Sequence, residues 1–241
     1  MSNNSSNNKR IAKNTILLYV RMLLSIVVTL YTSRIVLQTL GVDDFGTYGV
    51  VGGIVSMFAS LNASMSGATS RFITFAIGKG NEDDVNKTFS SSLIIHICIA
   101  LLIILLCETI GLWFLENKLV IPEGRMEAAR FVYQFSVLSM AVTVTQVPYN
   151  AAIISYERMN VYAYVELLNV ILKLLIVYLL LIGDFDKLKL YSLLVFTVSC
   201  TIAMIYRFYC TRHFRTCRFK FILDKKKILP MLGFSGWDLY G

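Results

Sequence analysis

Apolar residues along this chain come in long blocks separated by short polar gaps. Six blocks stand out, at about 14–40, 46–77, 89–115, 128–155, 161–183 and 188–210. Each meets or exceeds the roughly 20 residues that carry a helix across a bilayer, and the excess predicts tilt or extension past the headgroups. Backbone groups in hydrocarbon must bond within their own segment, so helices are the expected form. Alternation with period two is missing, which sets aside a transmembrane barrel. The gaps LGVDDFG, GKGNEDDVNK, LENKLVIPEGRM, YERMN and GDFDK are short, as antiparallel neighbours require. RFYCTRHFRTCRFKFILDKKK is the long exception.

The pattern predicts an all-α polytopic membrane protein. Residues 1–13 form a polar tail, 14–210 a bundle of six transmembrane helices, and 211–230 a basic loop. Residues 231–241 begin like a seventh span and stop after about eleven residues, too few to cross the hydrocarbon. The first block is too long for a signal peptide and lacks a small-x-small cleavage site, so it reads as a retained span.

Charge sets the orientation. With the N-terminus inside, 14 of the 23 Lys and Arg residues fall in inner segments and 4 in outer loops, a strong positive-inside asymmetry. The other five, Arg21, Arg34, Arg71, Arg130 and Lys173, lie within spans. The net charge of +8 follows from this topology facing an anionic inner leaflet, and gives no reason to expect a nucleic acid partner.

The spans also carry polar stripes. Gly49, Gly53, Ser56, Ser60, Ser64, Gly67, Arg71 and Thr74 recur at steps of three and four, so they share one helix face. Val51, Val55, Phe58, Met65 and Phe72 hold the opposite face. Such a seam suits either close helix packing of the GxxxG kind or the wall of a wet cavity with Arg71 turned into it. Packing needs small residues but no charge. In the fourth block Ser136, Ser139, Thr143, Gln146 and Asn150 repeat the spacing, with Pro148 as either a structural kink or a break beside a cavity. In the fifth, Glu166, Asn169 and Lys173 share a face. A lysine near the bilayer centre costs about 2.5–3.5 kcal/mol on insertion scales, so it calls for an ion pair or a substrate. Arg21 lies on a stripe with Ser25, Thr32 and Thr39, whereas Arg34 is placed to snorkel toward headgroups.

Composition supports this picture and removes other chemistry. Hydrophobic residues make up 56% of the chain and charged residues 16%, against about 25% in soluble domains. The five cysteines form no CxxC pair, His96 and Glu108 fall on different faces, and GKGNED lacks the phosphate-loop ending. No cofactor, metal site or catalytic pair is expected, and the chain does not read as an enzyme. In-span cations outnumber Glu108 and Glu166, so a basic cavity would take an anionic passenger, with phosphate the best match to arginine forks.

The stretch TSRIVLQTLGVDDFGTYGVVGGIVSMFASLNASMSGATSRFITFAIGKGNED, residues 32–84, resembles the first two spans of bacterial polysaccharide-biosynthesis flippases. These are the O-antigen type flippases of the multidrug/oligosaccharidyl-lipid/polysaccharide exporter superfamily. LGxxxFGxY and SGATSRF carry most of the likeness, and KILPMLGFSGWDLYG is similar to the start of a seventh span. The resemblance implies one lobe of a two-lobed flippase in the bacterial inner membrane, N-terminus cytoplasmic, working by alternating access. It implies a lipid-linked oligosaccharide pyrophosphate as cargo, held by Arg71 and Arg21; the span pattern adds Lys173 and Arg34 as further candidate cavity cations. Ser60, Ser64, Ser136, Ser139, Thr143, Gln146, Asn150, Glu166 and Asn169 would line that cavity. Membrane lipids and other glycan-assembly proteins would be the remaining partners. The alternatives are a multidrug or cation-coupled exporter of the same superfamily, which would favour more cavity acids, and a membrane enzyme of glycan assembly, which would need a larger outer loop.

Overall fold

The computed structural model describes residues 2–57, 59–182, 186–222 and 224–240, with side chains described at 15–16, 18–57, 65–182, 186–222 and 224–234. Its helices are α1 (Ser2–Ser56), α2 (Ala59–Gly78), α3 (Glu82–Leu106), α4 (Leu112–Asn117), α5 (Met126–Ser155), α6 (Met159–Leu179), α7 (Lys187–His213) and α8 (Lys225–Tyr240). A π turn at Cys107–Gly111 joins α3 to α4, and a 3-10 turn at Arg215–Cys217 follows α7. No strand occurs among the described residues. The all-helical polytopic architecture matches the expectation from the hydrophobic blocks.

Among the described residues five stretches are long and apolar enough to cross a membrane: Leu18–Ser56, Glu82–Asn117, Met126–Ser155, Met159–Leu179 and Lys187–His213. The first holds more than one of the expected spans. At Gly41 the backbone leaves helical geometry (φ 80°, ψ 171°), a conformation open to glycine because it has no Cβ. Before that point Arg21 and Tyr31 meet Tyr162 and Tyr178 of α6. Beyond it Val51, Ile54 and Val55 enter the core beside α3 and α5. The expected second span is not one rod either, since its residues divide between the end of α1 and the separate helix α2. Gly49, Gly52 and Gly53 weaken the helix there, and the Ser56 hydroxyl donates to the Gly53 carbonyl at 2.8 Å.

Helix ends follow local chemistry. The Asn81 side chain caps α3 by accepting from the Asp83 and Asp84 amides, and Glu82, Asp83 and Asp84 complement the helix dipole. Asp186 caps α7 by accepting from Leu188 and Lys189, and Arg212 and His213 close its last turn. Pro148 lies buried inside α5, which continues without a break, so of the two readings of that proline the local kink remains and the broken helix does not.

Two apolar cores stack along the bundle. One packs Ile73, Phe89, Tyr149, Ile202 and Tyr206 with Phe214, and the other packs Val51, Ile103, Leu115, Val132, Tyr133 and Leu188. Large apolar side chains such as Ile16, Leu23, Leu30, Leu101, Ile171 and Met204 remain outside, as expected of helices solvated by lipid.

The basic loop is not a free connection. Asn86, buried on α3, donates through Nδ2 to the carbonyls of Thr216 and Arg218, both at 2.8 Å. The Lys220 amide donates to Ser90 Oγ at 3.2 Å, and the Tyr156 ring stacks on Phe214 at 4.2 Å. Lys227 pairs with Asp84 at 2.7 Å. Helix α8 starts at Lys225, earlier than the expected residue 231, and sets Met231 against Met65 and Ile95. At the opposite end Arg125, just before α5, grips Asp44 through two nitrogens and reaches Asp186 at 3.0 Å, tying three chain segments together.

Candidate functional site

The described positions of the small-residue seam, Gly49, Gly53, Ser56, Gly67, Arg71 and Thr74, are all exposed. The opposite face is the packed one, with Val51, Val55 and Met65 buried. Among the described residues, a Cβ added at Gly49, Gly53 or Gly67 would meet nothing within 4 Å. Close packing within this chain therefore does not explain the glycines. The polar face of span two turns away from the lobe's own core, not toward it. The side chains of Ser60 and Ser64, and of Phe58 opposite, lie outside the described residues. Near the basic end Thr74 donates to Ser155 Oγ at 2.8 Å, and the Arg71 guanidinium sits 4.9 Å above the Phe234 ring of α8.

A second feature opens between the end of α1 and helices α5, α6 and α7. This cleft, of about 520 Å³, is lined by Tyr48, Ser136, Ser139, Thr143, Lys173 and Ser192 among others. Helical spacing on α5 aligns Ser136, Ser139 and Thr143, and α6 supplies the lysine. Ser139 and Thr143 donate to carbonyls one turn back, at 2.7 and 2.9 Å, which leaves their oxygen lone pairs free to accept. Among the described residues Lys173 is the cleft's one charged side chain, and no carboxylate lines it. Glu166 turns elsewhere: it accepts from the Tyr206 hydroxyl of α7 at 3.2 Å. The structure thus brings Lys173 together with three of the predicted α5 positions, and it does not pair Lys173 with Glu166.

Arg21 takes a third location. Its guanidinium lies 5.0 Å over the Tyr162 ring, and its buried Nε has no hydrogen-bond partner among the described residues. Arg21 and Glu166 thus each take an aromatic partner, Tyr162 and Tyr206 respectively. Arg34 is exposed further along α1, and Asn169 is half-buried. Gln146 donates to Asn150 at 3.4 Å and lines a different groove from the other α5 residues. The four predicted cations therefore occupy separate surroundings. Sequence reasoning also missed the aromatic partners Tyr162, Tyr206 and Phe234, whose ordinary hydrophobic spacing carries no signal of a guanidinium above them.

The arrangement has no nucleophile–base pair, and no cluster of His, Cys, Asp or Glu able to hold a metal occurs among the described residues. It offers binding surfaces: a hydroxyl-lined cleft around one ammonium, and an unpacked polar stripe. Residues 18–179 match the family model MatE. The chain belongs to the MatE family. This MatE lobe is 21% identical over 158 residues to an uncharacterized membrane protein, EpsK, of Bacillus subtilis (strain 168), covering 66% of this chain and 31% of that protein. It superposes with a TM-score of 0.71 on an outward-facing multidrug resistance MATE family transporter of the MOP superfamily, at 17% identity, covering 96% of this chain and 52% of the other. A mutant MATE crystal structure superposes with a TM-score of 0.70 at 16% identity, covering 94% and 53%. The chain spans about half the length of these solved proteins and a third of EpsK, and at these identities the structural likeness shows the fold alone.

Proposed function

We propose that this MatE lobe is the N-terminal half of a membrane exporter that moves an amphipathic solute by alternating access. The observation that carries the reading is the unpacked seam. Six described small, polar or cationic positions along one crossing stay exposed while the opposite face fills the core. Facing acyl chains, a charge in such a stripe would cost about 2.5–3.5 kcal/mol. Facing a hydrated path between two lobes, it would bind cargo. The likeness to a multidrug resistance transporter supports an exporter of broad scope over one dedicated to a single glycan. The charge asymmetry supports a cytoplasmic N-terminus, and the resemblance to bacterial flippases supports a plasma-membrane location.

One observation favours a second reading, the flipping of a lipid-linked oligosaccharide pyrophosphate: among the described residues the cleft holds an ammonium and no carboxylate, which suits an anion. Deleting the gene separates the two. Sensitisation to amphipathic drugs, reversed by the wild-type gene, supports the exporter. Loss of surface polysaccharide with unchanged drug tolerance supports the flippase. No change in either would remove both.

A further inference from the structure

A groove of about 660 Å³ runs down the flank of the lobe between α3, α5 and α7. It is distinct from the Lys173 cleft and shares no lining residue with it. Its walls are apolar along most of their length, from Leu93, Ile97, Val142, Ala203 and Met204. Each wall descends toward the end of the bundle that carries the basic loop. There, at the rim, the groove meets Arg207 and Phe219. Arg207 is exposed, has no ion pair among the described residues, and acts electrostatically on the Tyr149 side chain within the groove. Arg215, Arg218 and Lys220 lie exposed on the same pinned loop. The loop cannot drift from the rim without breaking the Asn86 and Ser90 hydrogen bonds.

We propose that this groove is a site for an anionic phospholipid of the cytoplasmic leaflet. Its acyl chain lies along Ile97, Val142 and Met204, and its phosphate meets Arg207. The charge complementarity is directional. An exposed apolar trough with a cation at its headgroup end matches a lipid lying parallel to the helices, with Gln146 and Thr145 as polar contacts for the glycerol ester region. Charge-assisted bonds from a guanidinium suit a phosphate in the interfacial region. The proposal does not rest on the transport reading, because it concerns a flank away from the seam and the cleft.

The test uses the full-length protein purified in mild detergent. Native mass spectrometry reads the fraction retaining added dioleoylphosphatidylglycerol or dioleoylphosphatidylcholine. The expected result is preferential retention of the anionic phosphatidylglycerol, reduced roughly tenfold by Arg207→Gln and within about threefold of wild type in Arg207→Lys. Ala203→Trp, which fills the trough, should lower retention of both lipids. Arg212→Gln, which removes a nearby cation outside the groove, should change little. Equal retention of the two lipids by the wild type, or unchanged retention in both Arg207→Gln and Ala203→Trp, would overturn the assignment. A photoreactive residue at 203 that crosslinks to another part of the protein in membranes, and not to lipid, would also overturn it. Because the readout is retention by folded, monodisperse protein, variants that fail to fold are replaced by Met204→Phe, with the same expected loss.

Discussion

Gly111 is the position where a single methyl group tests the bundle most sharply. The π turn at 107–111 widens the helix, and the Tyr133 hydroxyl from α5 fits into the space and donates to the Cys107 carbonyl at 2.7 Å. A Cβ at Gly111 would lie 2.1 Å from that hydroxyl oxygen and 3.3 Å from Cζ. Tyr133 is fully buried, so it has nowhere to withdraw without displacing core neighbours. Gly111→Ala therefore forces overpacking, about 1–3 kcal/mol, and strips a buried hydroxyl of its acceptor, about 1–3 kcal/mol. Alanine's better helix propensity returns about 0.5–1 kcal/mol. The net loss is about 1–5 kcal/mol, on the order of 2–20 °C for a chain of this size. Tyr133→Phe alone should cost about 1 kcal/mol, since Cys107 keeps the bond from the Leu112 amide. In the Tyr133→Phe background the clashing oxygen is gone, and most of the Gly111→Ala penalty should vanish. Thermal challenge of detergent-solubilised protein, followed by size-exclusion chromatography, gives all four corners of the cycle. Additive losses, or a Gly111→Ala protein as stable as wild type, would refute the packing argument.

Other predictions follow from the same geometry. Lys173→Ala and Arg71→Ala in the full-length protein should each lower export at least several-fold with normal membrane levels; equal export with both changed would remove them from the cargo path. Burial raises the pKa of Asp186, but hydrogen bonds from Arg125 and the Lys189 and Leu188 amides outweigh it, so the carboxyl sits below its usual value. Its stabilisation is then present above the unfolded carboxylate pKa and fades as pH falls through the lower folded value. Asp186→Asn should accordingly lower thermal stability at pH 7 and flatten its decline between about pH 5 and 3, which a melting series over pH checks. Asn86→Ala removes two buried hydrogen bonds and should expose the 215–220 segment to trypsin at least tenfold faster; unchanged cleavage would mean the loop is held by other contacts.

What the sequence determined by itself was the class of molecule and the pitch of its stripes. Long apolar blocks leave a chain in lipid no choice but helices, and spacing put Ser136, Ser139 and Thr143 on one face of α5, whereas their meeting with Lys173 of α6 came from packing. The break between Ser56 and α2 was written only faintly, in Gly49, Gly52 and Gly53, because glycine permits a bend without requiring one. Only the tertiary structure decided which way each stripe points. Periodicity fixes that two faces differ but not which one meets the core, and here the Arg71 face turns outward while Val51 and Val55 turn in. Nor could spacing reveal that Glu166 bonds Tyr206 across to α7, or that Asn86 pins a loop some 130 positions away. Those partners meet through packing between distant segments, and a one-dimensional pattern carries no distance across the bundle.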